Sequence, residues 1–245
     1  MPDIIIDDQN GHESINVHQP DKDWLSIPNE LPVLPLRNVV LFPYSVISIS
    51  VGQARSLHLL KDVFSSNKLL AIVAYKNPKT EQPSPNELYD IGCIAQVIRM
   101  SPGENGNTDV LLQGLEKCSI EHWLKEQPYL QAHVNRIDDI EPEDGDIEAE
   151  AVRINLLKFF TKLTAILSYL PSSLLNLLAQ TENYRQLTYL ISTSMRLKVK
   201  DAQDILAQPD VLAKMLKLID LIQHEMEVLE LGQKIQTEAH GEMAK

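Results

Sequence analysis

Residues able to do chemistry are present in this chain, but few stand at the spacings that chemistry uses. His224-Glu225-Met226-Glu227-Val228 begins like a zinc-binding His-Glu-x-x-His helix and lacks its second histidine. One imidazole on that helix face cannot build a tetrahedral site, so His224 reads as solvated or lightly packed. The run 138–150 carries eight carboxylates but not the ligand register of a calcium-binding EF-hand loop, and its Pro142 and Gly145 suit a solvated linker. None of the nine glycines is followed by lysine, which excludes a Gly-x-x-x-x-Gly-Lys phosphate cradle. Cys93 and Cys118 lie outside any Cys-x-x-Cys pattern, in apolar strand-like settings, and read as buried structural thiols of a reducing compartment. The sequence thus assigns this chain no catalytic residue, no metal ligand and no cofactor of its own.

What remains is apolar contact. Leu41-Phe42-Pro43-Tyr44 sets aromatic residues around a proline on a turn, a rigid surface of the kind that anchors a partner polypeptide. Two readings stay open there: Phe42, Pro43 and Tyr44 face solvent together, or Phe42 plugs the end of the fold and Tyr44 alone is exposed. Tyr89 and the loop from Asn77 to Asn86 form a second candidate. On the last helical stretch, Leu212, Met215, Ile219, Ile222, Met226 and Leu229 recur at spacings of three and four, which reads as core. Beyond them the stripe thins to Leu231 and Ile235, candidates for contact with a neighbouring domain or subunit.

The elements that must position these residues fall into two halves. Proline punctuates Leu31-Pro32-Val33-Leu34-Pro35-Leu36-Arg37-Asn38-Val39-Val40-Leu41-Phe42-Pro43 into pieces too short for a helix, so it reads as edge strand, turn and strand start. Val46 to Val51 alternates like a half-buried strand. Gln53-Ala54-Arg55-Ser56 opens a helix with Leu57, Leu60 and Phe64 on its apolar face, stopping at Ser65-Ser66-Asn67. Leu69 to Tyr75 is a continuous apolar, central strand. Residues 91–100 and 108–114 flank a Gly/Asn-rich turn as a hairpin, and 118–123 and 129–137 supply two further strands. After the acidic breaker the pattern turns helical, near 147–168, 172–180, 183–195, 200–208 and 209–243, with Asp201 and Asp210 at helix starts. The resulting division is a polar, disordered tail over 1–29, a β-rich lobe over 30–137, an acidic linker over 138–146 and a helical lobe over 147–245.

Charge sorts the possible partners. The formal net charge is −12, yet residues 1–30 hold seven acids against Lys22 alone, and 138–150 hold eight acids and no base. The body is therefore close to neutral, with no face built to neutralise a phosphate backbone, so no nucleic-acid partner is expected. No apolar run reaches bilayer length and the acidic N-terminus resembles no targeting signal, so no membrane partner is expected and the cytoplasm is the expected location.

The Leu-Pro-x-Leu-Pro-Leu-Arg-Asn run, followed by Phe42-Pro43 and Val51-Gly52, resembles the start of the N-terminal domain of Lon-type ATP-dependent proteases. The resemblance continues through Pro85 to Gly92, Val110-Leu111-Leu112-Gln113-Gly114, Tyr129-Leu130-Gln131-Ala132 and Met226 to Ile235, covering about residues 31–245. It implies an α+β fold, a PUA-like pseudobarrel followed by a helical bundle ending in a long helix. It also implies a role in recognising unfolded or degron-bearing proteins for a downstream ATPase and Ser–Lys peptidase. Neither module is in this chain, so ATP and Mg would belong to the parent enzyme, a homo-hexamer, with the isolated chain a monomer or weak dimer. Where the family often has an Arg-Glu-Lys-Ser type of sequence, Gln53-Ala54-Arg55-Ser56 leaves Arg55 to carry an inter-domain contact. The chain is expected to end inside a helix, as an excised domain would; the alternative is a stand-alone interaction module of the same fold.

Overall fold

Proline sets the geometry of the first strand. β1 (Glu30–Leu36) carries Pro32 and Pro35, and a residue without an N–H cannot donate to a ladder. The strand accommodates this by changing partners along its length. Residues 30–32 pair antiparallel with β6 (Gln131–Arg136), and residues 33–36 pair parallel with β3 (Leu69–Ala74). β1 is therefore an interior strand, not the edge strand that its prolines suggest. The structure is a computed structural model describing residues 27–167 and 172–243; the expected disordered tail lies outside the described residues up to Ile27.

The remaining strands are β2 (Val46–Val51), β4 (Ile91–Pro102) and β5 (Thr108–Lys125). β5 is a single strand of 18 residues where two are expected. One edge of it pairs with β4; the other takes β2 at Thr108–Gln113 and then β6 at Cys118–Lys125. Because β3 lies between β4 and β1, the strands β5-β4-β3-β1-β6 close on themselves, with β2 appended. This closure is the pseudobarrel, and the fold is α+β.

β3 is apolar throughout because both of its faces are covered. Leu70 and Ile72 pack with Leu59, Leu60 and Val63 of helix α1 (Ala54–Phe64), while Ala71, Val73 and Tyr75 join Ile94, Ile120 and Val134 on the other side. The buried face of α1 differs from expectation by one position, since Phe64 is 38% exposed. Cys93 belongs to the first cluster and Cys118 to the second. Burial raises both thiols, Cys118 to about 12.

The Phe42-Pro43-Tyr44 turn is pinned to β5. Tyr44 N–H donates to the Gly114 carbonyl at 2.9 Å, Gly114 N–H donates to the Ser45 carbonyl at 2.8 Å, and Tyr44 itself adopts φ 62°. A side chain on Gly114 would put Cβ 2.1 Å from the Phe42 carbonyl oxygen, so glycine permits the approach.

The helices are α2 (Ile147–Ile166), α3 (Ser172–Gln180), α4 (Tyr184–Ser194), α5 (Val199–Ala207) and α6 (Val211–Met243). Asp146 caps α2 by accepting from Glu148 and Ala149 N–H groups, and Asp210 caps α6 by accepting from Ala213 N–H at 2.7 Å. Pro209 thus precedes α6 instead of opening it. Two compact units result: one holds 27–139 with Ser192–Pro209, the other Ile140–Ile191 with 210–243. α5, expected within the helical lobe, belongs to the barrel unit, where Gln203 Nε2 donates to the Ile91 carbonyl at 2.8 Å.

In the helical unit α2 buries Ala149, Val152, Leu156, Phe160 and Leu163. α6 buries Val211, Met215, Leu218 and Ile222, while the expected Leu212 and Ile219 are only half-buried. Lys214 shares that buried face because its Nζ donates to the Tyr189 hydroxyl at 2.7 Å and lies 4.7 Å from the ring centroid.

The acidic breaker also has a structural member. Asp139 is buried with its Oδ1 2.8 Å from Lys117 Nζ, and Lys117 donates further to the Gln208 carbonyl at 3.1 Å. Solvated linker is therefore the wrong description of Asp139. Removing one member of a buried pair strands the other charge, at a cost of about 3–5 kcal/mol, whereas replacing both with apolar groups is often tolerated. Lys117→Met should lower the unfolding free energy by that much, read as a lower urea midpoint, and the Lys117→Met, Asp139→Leu double variant should recover most of it. Gly114→Ala should cost about 1–3 kcal/mol, read as a lower melting temperature, because a backbone oxygen stands in the way.

Candidate functional site

Arg37 follows β1 and is exposed, yet it is not idle. Its Nη2 donates to the Thr80 carbonyl at 2.9 Å and the Glu81 carbonyl at 3.4 Å, fastening the 77–86 loop. The guanidinium carbon sits 5.5 Å from the centre of the Tyr75 ring. Asn38, next in sequence, adopts φ 63°, a left-handed conformation that asparagine tolerates better than most residues. Gln53, just before α1, does not cap the helix; its Nε2 donates to the Glu81 carbonyl at 3.3 Å. Within the loop, Ser84 N–H and Oγ both donate to Glu87 Oε2 at 2.9 Å, and these bonds hold the Glu87 carboxyl below its usual range.

These contacts wall a cleft of about 440 Å³ in the barrel unit. Val33, Pro35 and Leu59 supply apolar surface, Tyr75 and Tyr129 aromatic surface, and Arg37 and Arg55 positive charge. Arg55 donates through Nη2 to the Glu126 carbonyl, and the Tyr129 hydroxyl donates to Asp62 Oδ2 at 3.0 Å. Burial raises the Tyr75 phenol while the two guanidinium groups pull it back; burial, then Asp62, raises that of Tyr129. Among the described residues Arg37 and Arg55 bond backbone carbonyls and form no ion pair with a carboxylate. The arrangement offers shape, aromatic surface and guanidinium donors, which suits binding.

The sequence-predicted residues distribute unevenly around this cleft. Arg55 lines it, as do Glu81, Gln82 and Pro83 of the predicted loop. Phe42 and Pro43 are buried, Phe42 at 2% exposure, so the expected surface there reduces to the half-buried Tyr44. The physical reason is the pinning to Gly114, which turns the aromatic ring inward. Tyr89 is half-buried, donates its N–H to the Ala74 carbonyl at 3.0 Å and stands outside the cleft lining. In the other unit Leu231 and Ile235 are 59% and 58% exposed, and Val228 extends their face. Arg37 and Tyr129 were legible only as letters inside matched strings and Tyr75 only as the end of an apolar strand, and nothing in the spacing says that they converge.

The family model described as "ATP-dependent protease La (LON) substrate-binding domain" matches residues 30–224. Among relatives, the chain is 29% identical to the Lon protease of Cytophaga hutchinsonii over 91% of its own length and 27% of that protein's. It is 30% identical to the Lon protease of Anaeromyxobacter dehalogenans, over 89% of the chain and 26% of the relative. The chain therefore spans about a quarter of the length of the Lon proteases it matches. A solved N-terminal domain of Mycobacterium avium complex Lon protease superposes with a TM-score of 0.65 at 17% identity, covering 79% of this chain and 98% of that one. The Lon N-terminal domain protein from Xanthomonas campestris gives 0.54 at 15% identity, over 78% and 97%. The match over the barrel and most of the helical residues decides the matter: this chain belongs to the Lon substrate-binding domain family.

Proposed function

We propose that this chain is the client-receiving part of an ATP-dependent Lon protease, binding unfolded or degron-bearing proteins in the cytoplasm for delivery to ATPase and peptidase modules. The observation that carries the reading is the cleft, in which apolar and aromatic walls stand beside two guanidinium groups without carboxylate partners among the described residues. An extended client segment would set an apolar side chain against Pro35 and Tyr129 while Arg37 and Arg55 engage its carbonyl or carboxylate oxygens. A folded protein keeps its backbone oxygens occupied, so such a cleft favours unfolded chains. No bond is made or broken here; ATP and Mg serve the parent enzyme elsewhere.

The half-buried Tyr44 is retained as a second, smaller contact for a client. The exposed Val228, Leu231 and Ile235 edge of α6 supports a role in holding the rest of the Lon hexamer, since large apolar side chains spaced three and four apart on one helix face suit a partner helix. Among the described residues no helix is long and apolar enough to cross a membrane.

Binding of a fluorescent, permanently unfolded polypeptide to the chain, followed by polarisation, tests the cleft. Arg55→Ala and Tyr129→Ala should each weaken it about tenfold, the equivalent of about 1.4 kcal/mol, with melting temperatures little changed. Ile154→Ser, on the exposed face of α2, should leave binding unaltered. Equal affinity in all the variants would rule the cleft out as the receiving surface.

A further inference from the structure

The hairpin of β5 and β6 gathers three side chains that the binding reading does not use. Ile120 pairs with Val134, and the next pair is His122 with His133, so Glu121 is an extra residue in β5 with no counterpart on β6. In a regular strand Glu121 and His122 would point to opposite faces. The bulge re-aims them, as bulges commonly do. One ligand atom each from Glu121, His122 and His133 then falls within 4.8 Å of the others.

Details of the cluster favour an ion over a plain salt bridge. The two imidazole rings stack at 4.9 Å between centroids and 8° between planes, and each brings a nitrogen within 4.8 Å of the other's and of a Glu121 oxygen. His133 Nδ1 is buried and 3.0 Å from Glu121 Oε2, yet it makes no aligned hydrogen bond. Glu121 Oε1 is held by Asn135 Nδ2, which shares a face of β6 with His133 and leaves Oε2 turned toward the histidines. A carboxylate oriented by an outer donor and two imidazoles is a recognised donor set for zinc and its late first-row neighbours.

We propose that Glu121, His122 and His133 form a binding site for a divalent late first-row transition ion, with Zn²⁺ as the probe. Coordination at about 2.0–2.1 Å needs the two rings to pivot slightly toward each other, which side chains at the surface can do. Three protein ligands leave a further position to water, so the ion would be held at the surface of the barrel unit and would brace the bulge. Sequence spacing could not show this site: His122 and His133 meet only through strand register, and Glu121 joins them only through the bulge.

The test is titration of the full chain with Zn²⁺ by calorimetry, with the imidazole signals followed by NMR. The first equivalent of Zn²⁺ should move the His122 and His133 signals ahead of those of His58 and His224. His122→Ala, His133→Ala and Glu121→Gln should each weaken this binding by at least about tenfold, and Asn135→Ala by about tenfold through loss of orientation. Glu121→Gln preserves the shape of the side chain, so its loss of affinity with an unchanged melting temperature in chelator would separate ligand removal from misfolding. Zn²⁺ should also raise the melting temperature of the wild type and not of the histidine variants. Unchanged affinity across the variants, or first shifts at other histidines, would overturn the proposal.

Discussion

Every strand has two edges, and this barrel exists because β5 divides one of its own between two partners. From Thr108 to Ser119 this 18-residue strand keeps β4 on one side, while the other side passes from β2 to β6. Had β5 ended near Gly114, as its composition suggests, β6 would have no partner on that side and the ring could not close. A closed ring removes most exposed edges, which open sheets must otherwise protect. The length of β5 also sets the local irregularities: the register shifts opposite β4 and β6 take up the twist that so long a strand accumulates.

Around that strand the polar side chains act as fasteners. Lys117 leaves β5 to meet Asp139 and the Gln208 carbonyl, which ties the strand both to the start of the acidic segment and to the end of α5. Gln203 adds a second tie from α5 to β4. Arg37 and Gln53 do the same for the 77–86 loop. Much of the charge that looks superficial in composition is thus committed to particular places, and the cleft is the by-product of two of those commitments.

The sequence carried the element types well because each half follows one period. Alternation marks β2, helical spacing marks α2 and α6, and a fully apolar run marks the doubly covered β3. It failed where register or a distant partner decides. β1 carries two prolines and still lies inside the barrel, since its ladders change partner midway. At the aromatic turn two readings were open, and Phe42 takes the inward one because Gly114, some seventy residues on, lets the backbone come close. Lys214 stands on a buried helix face because Tyr189 waits for it. The cleft was legible only in part: the 77–86 loop stood out as a contact candidate and Arg55 as an inter-domain contact implied by the resemblance, whereas Arg37, Tyr75 and Tyr129 are brought there by the fold alone.

The two cysteines have a practical meaning that follows from their burial. Cys93 lies in the core beneath α1 and Cys118 in the core on the opposite side of the sheet, and burial holds both thiols far from the thiolate form. An alkylating reagent can therefore reach either one only when its layer of the barrel opens. The order in which the two become labelled would report which side of the sheet separates first, so the native protein carries its own pair of depth gauges.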